Sequence, residues 1–148
     1  GRLTQAIAAY FHTSLRIMRD DVVLLSAIPS TWPPVLLDMR PGDVLVAFDI
    51  RRYEPPVQQL VELARAREAE VVLITDRWVS PAAAHAQHLM PCHIEAPSAW
   101  DTLTAPLMLV EALLTAIQRR DRPAMVTRLQ HLEAIYTRTQ IFRRPRQS

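Results

Sequence analysis

Two short polar clusters hold the residues best suited to chemistry. The first is Asp49-Ile50-Arg51-Arg52-Tyr53 and the second is Thr75-Asp76-Arg77-Trp78-Val79-Ser80-Pro81; each follows an apolar run, Val44 to Phe48 and Val71 to Ile74. Arginine presents a planar fork that grips carboxylate or phosphate through paired hydrogen bonds. Thr75 and Ser80 can donate to a ligand hydroxyl, Asp76 can accept from one, and Trp78 offers a ring face on which a sugar could stack. Each residue also has a structural reading. Arg51 and Arg52 could be surface arginines bonded to Asp49, Glu54 or a neighbouring subunit. Ser80 could cap a helix opening at Pro81, Asp76 could bond loop amides, and Trp78 could be a partly buried packing residue. Asp49 repels an anion unless an arginine neutralises it, which favours a structural Asp49–arginine bond.

Other chemistries find little support. The only glycines are Gly1 and Gly42, so the glycine-rich phosphate loops of nucleotide-binding proteins are absent. His85, His88, Cys92 and His93 lie close together in the chain, but their spacing matches no standard zinc arrangement. Cys92 has no visible base to activate it as a nucleophile. No metal or cofactor is expected. The closing basic segment (Arg128, His131, Arg138, Arg143, Arg144) supplies only nonspecific phosphate attraction. Subunit packing through Leu129, Leu132, Ile135 and Tyr136, with a solvated arginine face, accounts for it better.

The elements that must position the two clusters follow from periodicity. Residues 3–19 repeat Leu3, Ile7, Tyr10 or Phe11, Ser14 and Met18 at helical spacing. Val22 to Leu25 reads as a short buried strand, and Ser30-Thr31 as a helix start before Trp32-Pro33-Pro34. Pro41-Gly42 turns the chain into the Val44–Phe48 strand, whose continuous apolar run suits a sheet covered on both faces. Pro55-Pro56 open a helix that buries Val57, Leu60, Val61 and Ala64, and Glu70 to Ile74 forms the next strand. Ser80-Pro81 start a short helix, Cys92 to Glu95 reads as an edge strand, and helices follow over 99–119 and 123–141. Alternating strands and helices predict one α/β domain with an open, mainly parallel sheet, in which ligands sit beyond the strand carboxyl ends. Both polar clusters fall there. Such a domain normally begins with a strand, so Gly1-Arg2-Leu3-Thr4 reads as the exit loop of an earlier one.

At 148 residues, 49% hydrophobic and 22% charged, the chain suits a single globular domain with a real core. No apolar run reaches membrane-spanning length, so no membrane partner is expected. One cysteine excludes an internal disulfide framework and suits the cytoplasm. All 17 basic residues are arginine and the formal charge is only +2, too little to imply nucleic-acid binding.

In its order of motifs, PGDVLVAFDIRRYEP, ARARE, AEVVLITD and WVSPAAAHA, the chain resembles the SIS (sugar isomerase) domain of RpiR/MurR-type bacterial transcriptional regulators, from Gly1 to about Leu132. The resemblance implies a flavodoxin-like three-layer sandwich of five parallel strands, spanning 1–142 with a basic tail over 143–148. It implies a phosphorylated sugar or related anionic sugar derivative bound at the strand ends, a homodimer with sites near its interface, and DNA contacted only through a helix-turn-helix domain preceding this chain. The family's Ser-x-Ser-Gly-x-Thr phosphate loop corresponds to Asp49-Ile50-Arg51-Arg52-Tyr53-Glu54, so its hydroxyls and glycine are lost, and a glycine usual before the next strand is Glu68. Thr4 keeps a hydroxyl in the first loop, and Thr102 matches a serine before the long helix. The ligand-binding set expected on this basis is Thr4, Asp49, Arg51, Arg52, Tyr53, Thr75, Asp76, Ser80 and Thr102, without a catalytic residue. Glu111 matches a position where catalytic members of the family can supply a carboxylate, so the alternatives are a sugar-phosphate isomerase and a structural dimerisation module with a degenerate pocket.

Overall fold

The computed structural model describes residues 2–142. Three strands, β1 (Val44–Asp49), β2 (Glu70–Asp76) and β3 (His88–Cys92), form one parallel sheet in the order β1-β2-β3. Val44 lies opposite Glu70 and Asp49 opposite Thr75, while Val72 faces His88 and Asp76 faces Cys92. All carboxyl ends therefore open on one edge of the sheet.

Alternation along each strand divides the core in two. Leu45 and Ala47 of β1 and Val71 and Leu73 of β2 pack under helix α3 (Pro55–Ala66), which buries Val57, Leu60, Val61 and Ala64 as its period predicts. Phe48 and Ile74 point the other way, against Ile7 and Phe11 of α1 (Arg2–Met18) and Val110 and Leu114 of α4 (Thr104–Arg120). Helices thus cover both faces of the sheet, giving the three-layer α/β sandwich expected. On α1 the buried stripe is Thr4, Ile7 and Phe11, whereas Leu3 and Tyr10 are exposed.

Several local expectations are corrected. Three strands stand among the described residues instead of five. Val22–Leu25 is coil, with no pairing to β1 among the described residues, and Val23 and Leu24 remain exposed. The helix α2 (Pro33–Asp38) begins at its prolines, and Ser30-Thr31 belong to a preceding 3-10 turn without capping it. The edge strand is His88–Cys92, earlier than Cys92–Glu95; Pro91 is tolerated within it because only β2 flanks β3. The long helix starts at Thr104, because the Thr102 N–H is drawn to the Ile94 carbonyl at 2.8 Å and the Thr104 N–H to the Thr102 hydroxyl at 3.2 Å.

The last helix, α5 (Arg122–Thr139), buries no residue fully. Arg128 is not simply on a solvated face, since its guanidinium donates to the Arg16 carbonyl at 3.1 and 3.3 Å, satisfying an end group of α1. The basic tail expectation falls on 143–148, outside the described residues.

Candidate functional site

The exits of β1 and β2 are joined by two carboxylates. Asp49, 2% exposed, ends the α3-facing row of β1, and its Oδ2 accepts from the Ser80 hydroxyl while Oδ1 accepts from the Glu54 N–H at 3.3 Å. Beside it, Thr75 is fully buried; its hydroxyl donates to the Asp49 carbonyl at 2.7 Å and accepts from the Ser80 N–H at 3.1 Å. Ser80 also caps the 3-10 helix Pro81–His85 by accepting from the Ala82 N–H at 3.1 Å. The short helix expected after Ser80 therefore forms, wound as 3-10. Burial raises the Asp49 pKa above its ordinary value, and the Ser80 hydrogen bond counters part of that effect.

The second carboxylate, Asp76, is fully buried. Its Oδ2 accepts from the Arg51 backbone N–H at 2.5 Å, and its Oδ1 accepts from the Tyr53 hydroxyl at 2.6 Å and the Trp78 N–H at 3.0 Å. The Tyr53 pKa is pushed up to about 12, first by burial and then by the hydrogen bond to Asp76 and its charge. Arg51 sits at φ +65° inside a γ-turn closed by the Arg52 N–H on the Ile50 carbonyl at 2.8 Å. Val79 has φ +62°, uncommon for a β-branched residue, and its N–H donates to the Asp76 carbonyl at 3.1 Å. Without glycine, these two loops keep their curl because Asp76 ties them together.

Asp49 has no arginine partner among these contacts; the expected Asp49–arginine bond is replaced by Ser80 and the Glu54 amide. Arg51 instead reaches Asp101 at 3.5 Å, and Arg77 reaches Glu95 at 2.9 Å. Both guanidiniums lie over the Trp78 ring, at 4.9 and 4.7 Å from its centroid. Trp78 is 45% exposed, and Arg52 is exposed on the same rim. Below them a small cleft of about 100 Å³ is lined by Asp49, Tyr53, Glu54, Pro55, Gln58, Ser80 and Pro81.

The structure brings together Asp49, Arg51, Tyr53, Thr75, Asp76 and Ser80. Thr4 and Thr102 do not line the cleft. Thr4 lies within α1, not in a loop, and its side chain is buried. Thr102 bonds the Thr104 hydroxyl at 2.9 Å and organises the turn into α4. Glu54 and Gln58, one helical turn apart, were not anticipated as lining residues; that i, i+4 spacing was their only signal. Asp101 and Glu95 carried no signal in the sequence. Glu111 lies away from the cleft, accepting from the Tyr10 hydroxyl on the exposed side of α1 and α4. Cys92 is buried, which raises its thiol pKa and opposes a nucleophilic role.

The SIS domain family model matches residues 1–116. The chain belongs to the SIS family. This SIS domain is similar in fold to the sugar isomerase domain of an RpiR transcription factor from Sphaerobacter thermophilus, at 22% identity and TM-score 0.80, over 88% of this chain and 73% of that one. It is also similar to the Vibrio vulnificus NanR protein complexed with ManNAc-6P, at 15% identity and TM-score 0.73, over 93% of this chain. The SIS domain spans about half, 53%, of that NanR chain. A Listeria monocytogenes protein provisionally assigned as a sugar-phosphate isomerase matches at 17% identity and TM-score 0.59, over 87% of this chain and 64% of that one. No curated protein sequence matches the SIS domain. Among its described residues, no helix is long and apolar enough to cross a membrane.

Proposed function

We propose that this SIS domain is the effector-sensing part of a bacterial transcriptional regulator, binding an anionic sugar derivative at its strand exits without transforming it. The observation that carries this reading is the commitment of both exit carboxylates. Each oxygen of Asp49 and Asp76 accepts a hydrogen bond from the protein itself, so neither is poised to move a substrate proton. Exposed arginine and tryptophan surround them, which suits recognition. Similarity to the sugar isomerase domain of an RpiR transcription factor and to a NanR protein complexed with ManNAc-6P supports the same reading.

In this reading the domain works as a cytoplasmic homodimer, with DNA contacted through a helix-turn-helix domain outside this sequence and the sheet extended by an earlier strand. The effector must favour one dimer arrangement, since equal affinity for both shifts nothing. A thermal-shift and calorimetric screen of sugar phosphates and sugar acids tests it. The expected result is stabilisation by at least one of them, with a ligand-dependent change in sedimentation; no stabilisation of the folded domain by any of them defeats the proposal.

A second reading has its own observation. The cleft is about 100 Å³, below the roughly 300–1,000 Å³ of ordinary ligand sites, and its nearby donors are taken by the protein's own carboxylates. That suits a dimerisation module with a closed pocket, and the same screen separates the two.

A further inference from the structure

We infer that the oxyanion of the ligand is held by the guanidiniums of Arg51 and Arg77 beside the Trp78 ring, outside the β1 exit loop. This rests on the proposed sensing of a sugar derivative at the strand exits and says where the charged group goes.

The exit loop itself is closed to an anion. A phosphate seated there needs backbone N–H and hydroxyl donors, yet the Arg51 N–H, the Tyr53 hydroxyl and the Trp78 N–H all converge on Asp76, and the Ser80 hydroxyl is on Asp49. The cleft beside the loop is lined by Asp49 and Glu54 and by no arginine. An oxyanion placed in it meets the Asp49 carboxylate at close quarters, a costly arrangement when buried.

The rim above has the opposite character. Arg51 from the β1 exit and Arg77 from the β2 exit converge on one indole, at 4.9 and 4.7 Å, with half-exposed side chains. The backbones of Arg51 and Trp78 are fixed from below, each N–H donating to Asp76. Two forks held around an aromatic face suit a ligand with an oxyanion at one end and an apolar ring face beside it. Their present partners are Asp101 at 3.5 Å, which is partly exposed, and Glu95 at 2.9 Å, which is exposed. Such pairs stabilise little, about 0–1 kcal/mol, so a ligand that bonds both forks can displace them. His93 also faces Glu95, at 4.0 Å. The surface therefore holds its anion site with weak internal stand-ins.

The test is calorimetric titration of the full chain with ManNAc-6P, glucuronate, unphosphorylated ManNAc and inorganic phosphate. Substitutions Arg51→Gln and Arg77→Gln should each weaken the charged sugars by about tenfold or more, as loss of a charge-assisted bond does, and leave the neutral sugar unchanged. ManNAc-6P against glucuronate separates phosphate from carboxylate as the recognised oxyanion. Asp101→Asn and Glu95→Gln remove the competing carboxylates and should tighten binding, a gain that misfolding cannot imitate. If wild type binds a charged sugar and all four variants bind it equally, this inference falls while the sensing proposal stands. If wild type binds none of the probes, both fall.

Discussion

The Ser80 hydroxyl, from the loop after β2, donates to Oδ2 of Asp49 at the end of β1. With Thr75 bonding the Asp49 carbonyl and the Ser80 N–H, it joins the two strand exits through buried side chains. Ser80→Ala removes the donor to a buried carboxylate and the cap of the 3-10 helix together. A loss of about 2–4 kcal/mol is expected, read as a lower urea midpoint. A loss under about 0.5 kcal/mol, within the range of an ordinary surface change, means that Asp49 finds a replacement donor.

Asp49 carries a pH signature. Burial raises its folded pKa above 3.8, so its contribution to stability is complete below that value and is lost as pH rises through the folded pKa. Asp49→Asn has no such proton. Wild-type stability relative to the Asn variant should therefore fall as pH rises from about 4 and level off above the folded pKa. Urea unfolding of both proteins between pH 3 and 7 checks this, and a flat difference contradicts it.

Tyr53 should titrate late. Its pKa of about 12 places phenolate formation two pH units above an unfolded tyrosine, so its stabilising contribution holds below pH 10 and disappears between about 10 and 12. Absorbance of the phenolate against pH reads the folded value. Tyr53→Phe should lower stability by about 1.5–3 kcal/mol, because Asp76 loses a donor in a fully buried position. The variant should also remove one late-ionising phenol from the absorbance titration.

Two residues with positive φ should gain from glycine. Glu68, φ +59°, follows α3 where the Ala69 N–H closes on the Ala64 carbonyl at 3.1 Å, and Val79, φ +62°, precedes Ser80. The left-handed conformation costs an L-residue about 1–2 kcal/mol, while glycine loses about 0.5–1 in added unfolded freedom. Glu68→Gly and Val79→Gly should each raise stability by up to about 1 kcal/mol, read as a higher urea midpoint with unchanged slope. A lower midpoint shows that the side chains make contacts worth more than the strain.

Much of the frame was legible in the residues. Val57, Leu60, Val61 and Ala64 announced the buried stripe of α3, and the runs before Asp49 and Asp76 announced strands with helices on both faces, because a parallel strand so covered must be apolar throughout. Ser80 before Pro81 announced its own cap. Val22–Leu25 misled because β propensity describes a side chain's fit to a sheet but supplies no neighbouring strand. Thr4 stands in α1 and not in a loop, because the helical stripe running through Ile7 and Phe11 extends back to include it.

By itself, the sequence determined the α/β order, the two strand exits and the loss of the hydroxyl-and-glycine cradle, since these depend on local period and residue type. Only the tertiary structure decided the partners. Asp49 chose Ser80 over an arginine, and Asp76 gathered donors from both loops; Arg51 and Arg77 met over Trp78. Those choices follow from the parallel register that sets Asp49 beside Thr75, a non-local pairing that local spacing along the chain does not encode.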